Sequence, residues 1–418
     1  MDVVTLPLSL EVQRILTGDV EAIQNPYPVF NRMRDEAPLF RYDAYTMIVS
    51  RHADVKAAYR DDDLFPTTPA LGGRFEGMTR LLDADELTMM DEFAAFDKHT
   101  ISRKNGDDHS RVRGAAARYL TPGRVHGFEP AFQGIFDELI AERAGQDAFD
   151  FMPFAYKLPL LVITDILGVP REDAEQVKRW GDAWTISRNP IQPQDVRRKR
   201  RVMDEYREYV RALVGRQRSL EVKSQLVASM LDATEKDRVT QDELVAFFLH
   251  TLFAGHETTQ HLMGNGLRAL LLHRDQWQLL CDDHSLVPGA VEECLRYDGP
   301  VPFITKRSAA GARLSGEPVA EGLDVMLSAA AANRDPEVFA EPESFDILRQ
   351  PNDHMMLGFG RHFCIGASLA RLEGRIVFGT LARHYPDLDF ATDPATLRYH
   401  RGIRGLDELP IRLGPRRE

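Results

Sequence analysis

Residues 358–366 read GFGRHFCIG and hold Cys364, one of only three cysteines in a chain of 418 residues. A thiol in this setting has three readings: core packing, a nucleophile or a metal ligand. Downstream, IGASLARLEGRIVFGTLARHY is amphipathic and predicts a helix that begins near Cys364. The dipole and free amides at such a helix start favour thiolate over thiol. Gly358, Gly360 and Gly366 permit tight turns and close approach of backbone to a flat ligand. Cys281 and Cys294 lie in apolar helical patterns and read as core.

Composition narrows the field. Hydrophobic residues make up 43%, enough for a large core. Lys and Arg total 52 against 64 Asp and Glu, a net charge of −12 that argues against general nucleic-acid binding. The odd cysteine count, without framework spacing, suits a reducing compartment. The amino terminus, MDVVTLPLSLEVQ, lacks the basic region and apolar run of a signal peptide. The longest apolar stretch, LPLLVITDILGV, is too short for a bilayer and carries Asp165. A soluble, cytoplasmic protein is expected, with no membrane and no nucleic acid among its partners.

Along the chain, residues 38–50 are rich in aromatic and β-branched residues and predict a strand pair. A helical pattern covers 51–63, and residues 64–108 read as irregular. Helical periodicity dominates from about 110 to 297. A strand-rich portion runs from 301 to about 330, with turn signals at Gly311, Gly316 and Gly322. The tail RGIRGLDELPIRL predicts a hairpin. The class is mostly α with a minor β portion. No linker divides it, so residues 1–418 are expected to form a single domain.

Three further constellations carry chemistry. The run LFAGHETTQ, residues 252–260, lies in a helix expected from a Thr240–Glu243 capping box to Leu272, roughly 50 Å at 1.5 Å per residue. Gly255 inside it costs about 1 kcal/mol relative to alanine. Thr258 can bond back to the carbonyl of Ala254 and bend the helix. Beside it Glu257 completes an acid–hydroxyl pair suited to proton relay. A solvated polar stripe is the rival reading, disfavoured by the flanking Phe247, Phe248, Leu252 and Phe253. In EECLR, Glu293 and Arg296 share a helix face, which on a surface would mean little. The cations His109, Arg113, Arg307 and His362 as a set suit an anion, while each alone reads more simply as an ordinary surface charge. A tetrapyrrole with two propionates needs such partners, since buried carboxylates require charge-assisted hydrogen bonds. No dinucleotide fingerprint, Walker loop, HExxH, GxSxG or CxxC is present.

In this order and spacing, the motifs resemble those of the cytochrome P450 family, of the soluble bacterial type, from about Asn25 to Leu413. NPYPVFNRMRDEAP resembles the family's amino-terminal helix and HSRVRGAAARYLTP its haem-contacting helix. AGHETT resembles the oxygen-binding motif, EECLR the ExxR motif, AANRDPEVFAEPESFD the segment before the haem loop, and GFGRHFCIG the cysteine loop. The resemblance implies a triangular, mostly helical domain with haem b between the long central helix and the cysteine loop. It implies Cys364 as the axial metal ligand, with Phe359, Gly360 and Gly366 shaping its loop. Glu257 and Thr258 would deliver protons to dioxygen, and Ala254 and Gly255 would leave room for it. His109, Arg113, Arg307 and His362 would hold the propionates, and Glu293 would pair with Arg296 and Arg334. The implied activity is a monooxygenase acting on a largely apolar substrate as a monomer. Electrons would come from NAD(P)H through a ferredoxin and its reductase, with no flavin domain fused. Arg103, Lys104, Arg111 and Arg361 are candidates for the ferredoxin patch. A peroxide-driven peroxygenase and a non-catalytic haem or ligand-binding protein are the alternatives, both disfavoured by the Glu257–Thr258 pair. Substrate contacts are expected within 64–108, including Phe75, Met78, Leu81, Leu82, Met89, Met90 and Phe93, and within 172–215. Leu252, Phe253, 301–303 and 402–404 are expected to add to them.

One position departs from the family. Leu357 stands where Phe or Trp usually lies, seven residues before the cysteine. A smaller side chain leaves the thiolate side less filled and changes the shell that tunes a metal's potential. Leu357→Phe is therefore expected to shift the haem reduction potential, read by redox titration; an unchanged potential would refute this.

Overall fold

The computed structural model describes residues 6–67, 79–143, 145–184, 191–219, 224–400 and 403–417. Two compact units emerge: Met1–Phe65, Phe128–Leu158 and Thr258–Glu418 form one, and Pro66–Gly127 and Pro159–Glu257 the other.

The first unit carries all the strands found among the described residues. They are Leu39–Arg41 (β1), Thr46–Val49 (β2), Phe149–Asp150 (β3), Phe303–Arg307 (β4), Arg313–Leu314 (β5), Glu317–Pro318 (β6), Asp324–Ser328 (β7), Asp389–Phe390 (β8) and Pro410–Arg412 (β9). The main sheet has the order β1-β2-β7-β4. The β1–β2 hairpin appears where the aromatic and β-branched run predicted it, closed by Asp43, whose carboxylate accepts the amides of Tyr45 and Thr46 at 2.7 Å. In β2, Ile48 and Val49 are fully buried. Helix Tyr27–Glu36 starts with Pro28 in its first turn, where the missing amide costs nothing. It turns Tyr27, Phe30 and Met33 into a cluster with Ile48, Ala330 and Ala331. Phe30 meets Phe303 of β4 edge-on at 5.4 Å. Burial of each such side chain stabilises by roughly 1.5–3 kcal/mol. The tail differs from the hairpin expected. β9 pairs with β3 and β8, and Tyr399 and Leu406 meet only in an isolated bridge.

The second unit is helical throughout its described residues apart from loops and turns. Ala84–Asp97 forms a helix inside the region that reads as irregular. The acids there mark a helix start: Asp83 accepts the Glu86 amide and Glu86 accepts the Asp83 amide, both at 2.9 Å. Asp85 and Glu86 also complement the dipole in the first turn, while Met90, Phe93 and Phe96 are buried.

Helix Gln241–Leu272 has 32 residues, about 48 Å at 1.5 Å each. Its capping box is present: Thr240 donates its amide to Glu243 at 2.8 Å, and the Glu243 amide bonds the Thr240 hydroxyl at 3.1 Å. Its glycines admit neighbours. A Cβ on Gly255 would lie 2.9 Å from Ile163, one on Gly264 2.5 Å from Met152, and one on Gly266 2.6 Å from Phe378.

Glu243 also receives Arg111 at 2.8 and 2.9 Å and Lys104 at 2.6 Å. Burial pushes its carboxyl up, but the bonds from Arg111, Lys104 and the Thr240 amide outweigh this and hold it at about 2. A depressed folded pKa contributes stability that is present above the ordinary value of 4.5 and lost as pH falls toward about 2. Glu243→Gln, which retains a capping side chain, is expected to lower the urea midpoint at pH 7. The deficit should shrink across that acid window; a deficit independent of pH would contradict the assignment.

Candidate active site

Within the first unit, the cysteine loop is held from behind by a buried ion pair. Helix Val287–Asp298 places Glu293 and Arg296 three residues apart, and they meet through two bonds of 2.8 Å at 0% side-chain exposure. Arg296 also donates to the carbonyls of Asn333, Pro342 and Ser344 at 2.7–2.9 Å. Glu293 accepts the Asp346 amide at 2.8 Å, Asn352 at 3.1 Å and Arg349 at 3.3 Å. Arg349 is thus the third charged member, where Arg334 was expected. Arg334 turns away to Glu343 and to the carbonyl of Tyr297. Asn333 carries the network onward by accepting the Met355 amide at 2.7 Å.

Beyond Met355 the chain turns into the loop of Cys364. Gly358 and Gly360 have φ of 71° and 69°, a region costly for other residues. A Cβ on Gly360 would also press to 3.0 Å from the Tyr59 carbonyl. The Cys364 amide donates to the Leu357 carbonyl at 2.8 Å, and Leu357 itself is buried. Phe359 lies beside Lys56 and Arg60 of helix His52–Arg60, at 4.9 and 5.7 Å from its ring centre. Helix Ala367–His384 begins three residues after Cys364, with Gly366 at its cap. The three thiols differ sharply. Cys364 is exposed, Cys281 is half-buried and Cys294 is buried. Burial pushes Cys281 up to about 11 and Cys294 well above its ordinary value. Cys294 is a core thiol, as its sequence setting suggested, while Cys281 is only partly covered. Near Cys364, Arg371 is raised first by its hydrogen bonds to Glu292 and also by the charge of Cys364.

The expected anion partners separate. His362 lies 3.5 Å from Asp62, which also holds Lys306 at 2.6 Å and Arg361 at 3.3 Å. Arg307 does not join them: its guanidinium bonds Asp324, its register partner on β7, at 2.6 and 3.1 Å. Successive strand residues face opposite sides, so Lys306 and Arg307 cannot serve one cluster. The pair KR in the sequence left that choice open. Lys306 is 1% exposed, and burial lowers its ammonium pKa more than Asp62 raises it.

Within the second unit, His109 and Arg113 share helix Gly106–Ala116, with His109 buried. Ala254, Gly255 and Glu257 occupy helix Gln241–Leu272, and the chain passes into the first unit at Thr258. Gly255 is fixed by its contact with Ile163, a packing demand in its own right. Leu252 and Phe253 line a cavity of only 20 Å³ with Trp180, Met203 and Tyr206. Phe75, Met78 and Gly402 lie outside the described residues. Of the residues expected in the ferredoxin patch, Lys104 and Arg111 pair with Glu243, Arg103 pairs with Asp97, and Arg361 pairs with Asp62 while staying exposed.

Known proteins place this geometry. The cytochrome P450 family profile matches residues 280–390. The chain is 35% identical to vitamin D(3) 25-hydroxylase of Pseudonocardia autotrophica, over 94% of this chain and 95% of that one. It is 35% identical to cytochrome P450 monooxygenase PikC of Streptomyces venezuelae, over 94% and 92%. The solved structure of CalO2 superposes with a TM-score of 0.85 at 30% identity, covering 99% and 100%. The chain belongs to the cytochrome P450 family. It is an oxidoreductase of the monooxygenase type, and the family's cofactor is haem b. The residues present fit that group: a soft, exposed thiol on a rigid loop, and a cation cluster already gathered on a carboxylate. Among the described residues, no helix is long and apolar enough to cross a membrane.

Lys306→Met is expected to weaken haem retention at least about tenfold more than Arg307→Gln, measured by haem transfer to an acceptor protein. Equal losses would return the role to Arg307.

Proposed function

We propose that the chain is one P450 domain whose Cys364 thiolate would hold the haem iron, with oxidation of a largely apolar organic substrate as its reaction. The observation that carries this is the single exposed cysteine, set on a glycine-turned loop that the Glu293–Arg296 network anchors. Bound haem supplies dioxygen activation, by which one oxygen atom enters the substrate and the other leaves as water.

The chain's own residues have distinct tasks. Backbone amides at the start of helix Ala367–His384 favour the thiolate form of Cys364. Lys306 and His362 of the first unit would hold a carboxylate of the cofactor by charge-assisted bonds. Glu257 takes protons from solvent and passes them to the Thr258 hydroxyl, which presents them to the reacting oxygen. Ala254 and Gly255 keep that stretch of helix free of bulk.

Relatives support an apolar substrate. Their names include vitamin D(3) 25-hydroxylase and steroid C26-monooxygenase of Mycobacterium tuberculosis, the latter 31% identical over 405 residues. Two structural neighbours were solved with myristic acid and with testosterone. Electrons come from NAD(P)H through a ferredoxin and its reductase, in the cytoplasm, to a monomer.

Reduction with dithionite under carbon monoxide should give the strongly red-shifted Soret band of thiolate-ligated haem. Cys364→Ala should abolish it, and an imidazole-type band in the wild type would overturn the ligand assignment. Turnover with dioxygen, NAD(P)H and a surrogate ferredoxin pair should exceed turnover with peroxide; the reverse would make the enzyme a peroxygenase.

A further inference from the structure

A second site lies in the first unit, remote in sequence from the cysteine loop. Helix Tyr27–Glu36, the end of helix Gln241–Leu272 and the segments around Tyr297, Arg334 and Arg404 enclose a cleft of 510 Å³. That volume is within the range of small-molecule sites. Three arginines line it: Arg268, Arg334 and Arg404.

Two of them have carboxylate partners. Arg404 bonds Asp298 at 2.5 Å and stacks 3.8 Å from the Tyr399 ring. Arg334 bonds Glu343 and is sandwiched between Tyr27 and Tyr297, at 3.7 and 4.4 Å. Among the described residues Arg268 has no carboxylate partner, and the hydrogen bond it makes is a long 3.4 Å contact to the Tyr399 hydroxyl. The Nε atoms of both Arg268 and Arg334 are buried and make no hydrogen bond, although Arg334 is only 4% exposed. A guanidinium keeps its charge at any working pH, so these donors cannot be relieved by losing a proton. Buried donors without acceptors are costly and rare.

One negative charge would complete the balance: three arginines face two carboxylates, Asp298 and Glu343. The rest of the lining combines the amides Gln24, Asn25 and Asn31 with Tyr27, Tyr297, Pro28 and Leu272. Leu272, 43% exposed, and Pro28 line the cleft together with Tyr27 and Tyr297. We propose that this cleft binds a small organic monocarboxylate, its acid group on the guanidinium of Arg268 and its apolar body on Leu272 and Pro28. The site does not depend on the haem assignment.

The test uses the haem-loaded full chain, with benzoate as the probe, benzamide as its uncharged counterpart and ligand-observed NMR as the readout. Benzoate should bind saturably and benzamide should not. Arg268→Gln should weaken benzoate at least about tenfold, equivalent to about 1.4 kcal/mol. Asn25→Asp, which adds a negative charge to the lining, should weaken it in the same direction. The Soret band should stay unchanged throughout, which separates this cleft from the haem site. Benzoate affinity unaltered in Arg268→Gln, equal binding of benzamide, or no saturable binding would each overturn the proposal.

Discussion

The contact between Glu293 and Arg296 is the constraint on which the cysteine side of the molecule rests. Neither charge reaches water. Ion pairs of this kind are not stabilising by default, because desolvation can exceed the Coulombic gain. Here the cost is offset by completeness. Arg296 spends its donors on three carbonyls as well as on Glu293, and Glu293 accepts from an amide, an asparagine and a second arginine. Removing one partner of such a pair typically costs about 3–5 kcal/mol. The pair therefore acts as a junction, fixing the path of residues 333–352. Through Asn333 and Met355 that path sets where the loop of Cys364 begins.

The parts of this arrangement that were legible in the sequence share one property: their chemistry is local. The Thr240–Glu243 capping box is written in four residues, and the start of the long helix follows from it. Cys364 and its glycines lie within nine residues, and the strongly turned loop is found where they stand. Glu293 and Arg296 are one helical turn apart, so their pairing follows from spacing alone.

What was not legible depends on the path of the backbone. Arg349 rather than Arg334 reaches Glu293, because the segment between them doubles back; sequence order says nothing about that. Arg307 and Lys306 are adjacent and both cationic, and only strand register with β7 decides which one meets Asp324. Asp62 is one of three consecutive aspartates, and its role as the common acceptor of Lys306, Arg361 and His362 emerges only in three dimensions. The acids of 83–86 were ambiguous in a different way. They fall in a stretch that reads as irregular, yet they cap and start a helix, because Met90, Phe93 and Phe96 give that helix something to bury.

The glycines of helix Gln241–Leu272 carry a consequence for how that element exists at all. Each costs about 1 kcal/mol of intrinsic helicity relative to alanine, yet Gly255, Gly264 and Gly266 are where Ile163, Met152 and Phe378 come closest. Helicity and fit pull in opposite directions along one segment. As an excised peptide it would gain order from alanine at all three positions, while the intact protein would lose it. The longest helix among the described residues is thus a product of its surroundings, supported by neighbours that its own weak points let in.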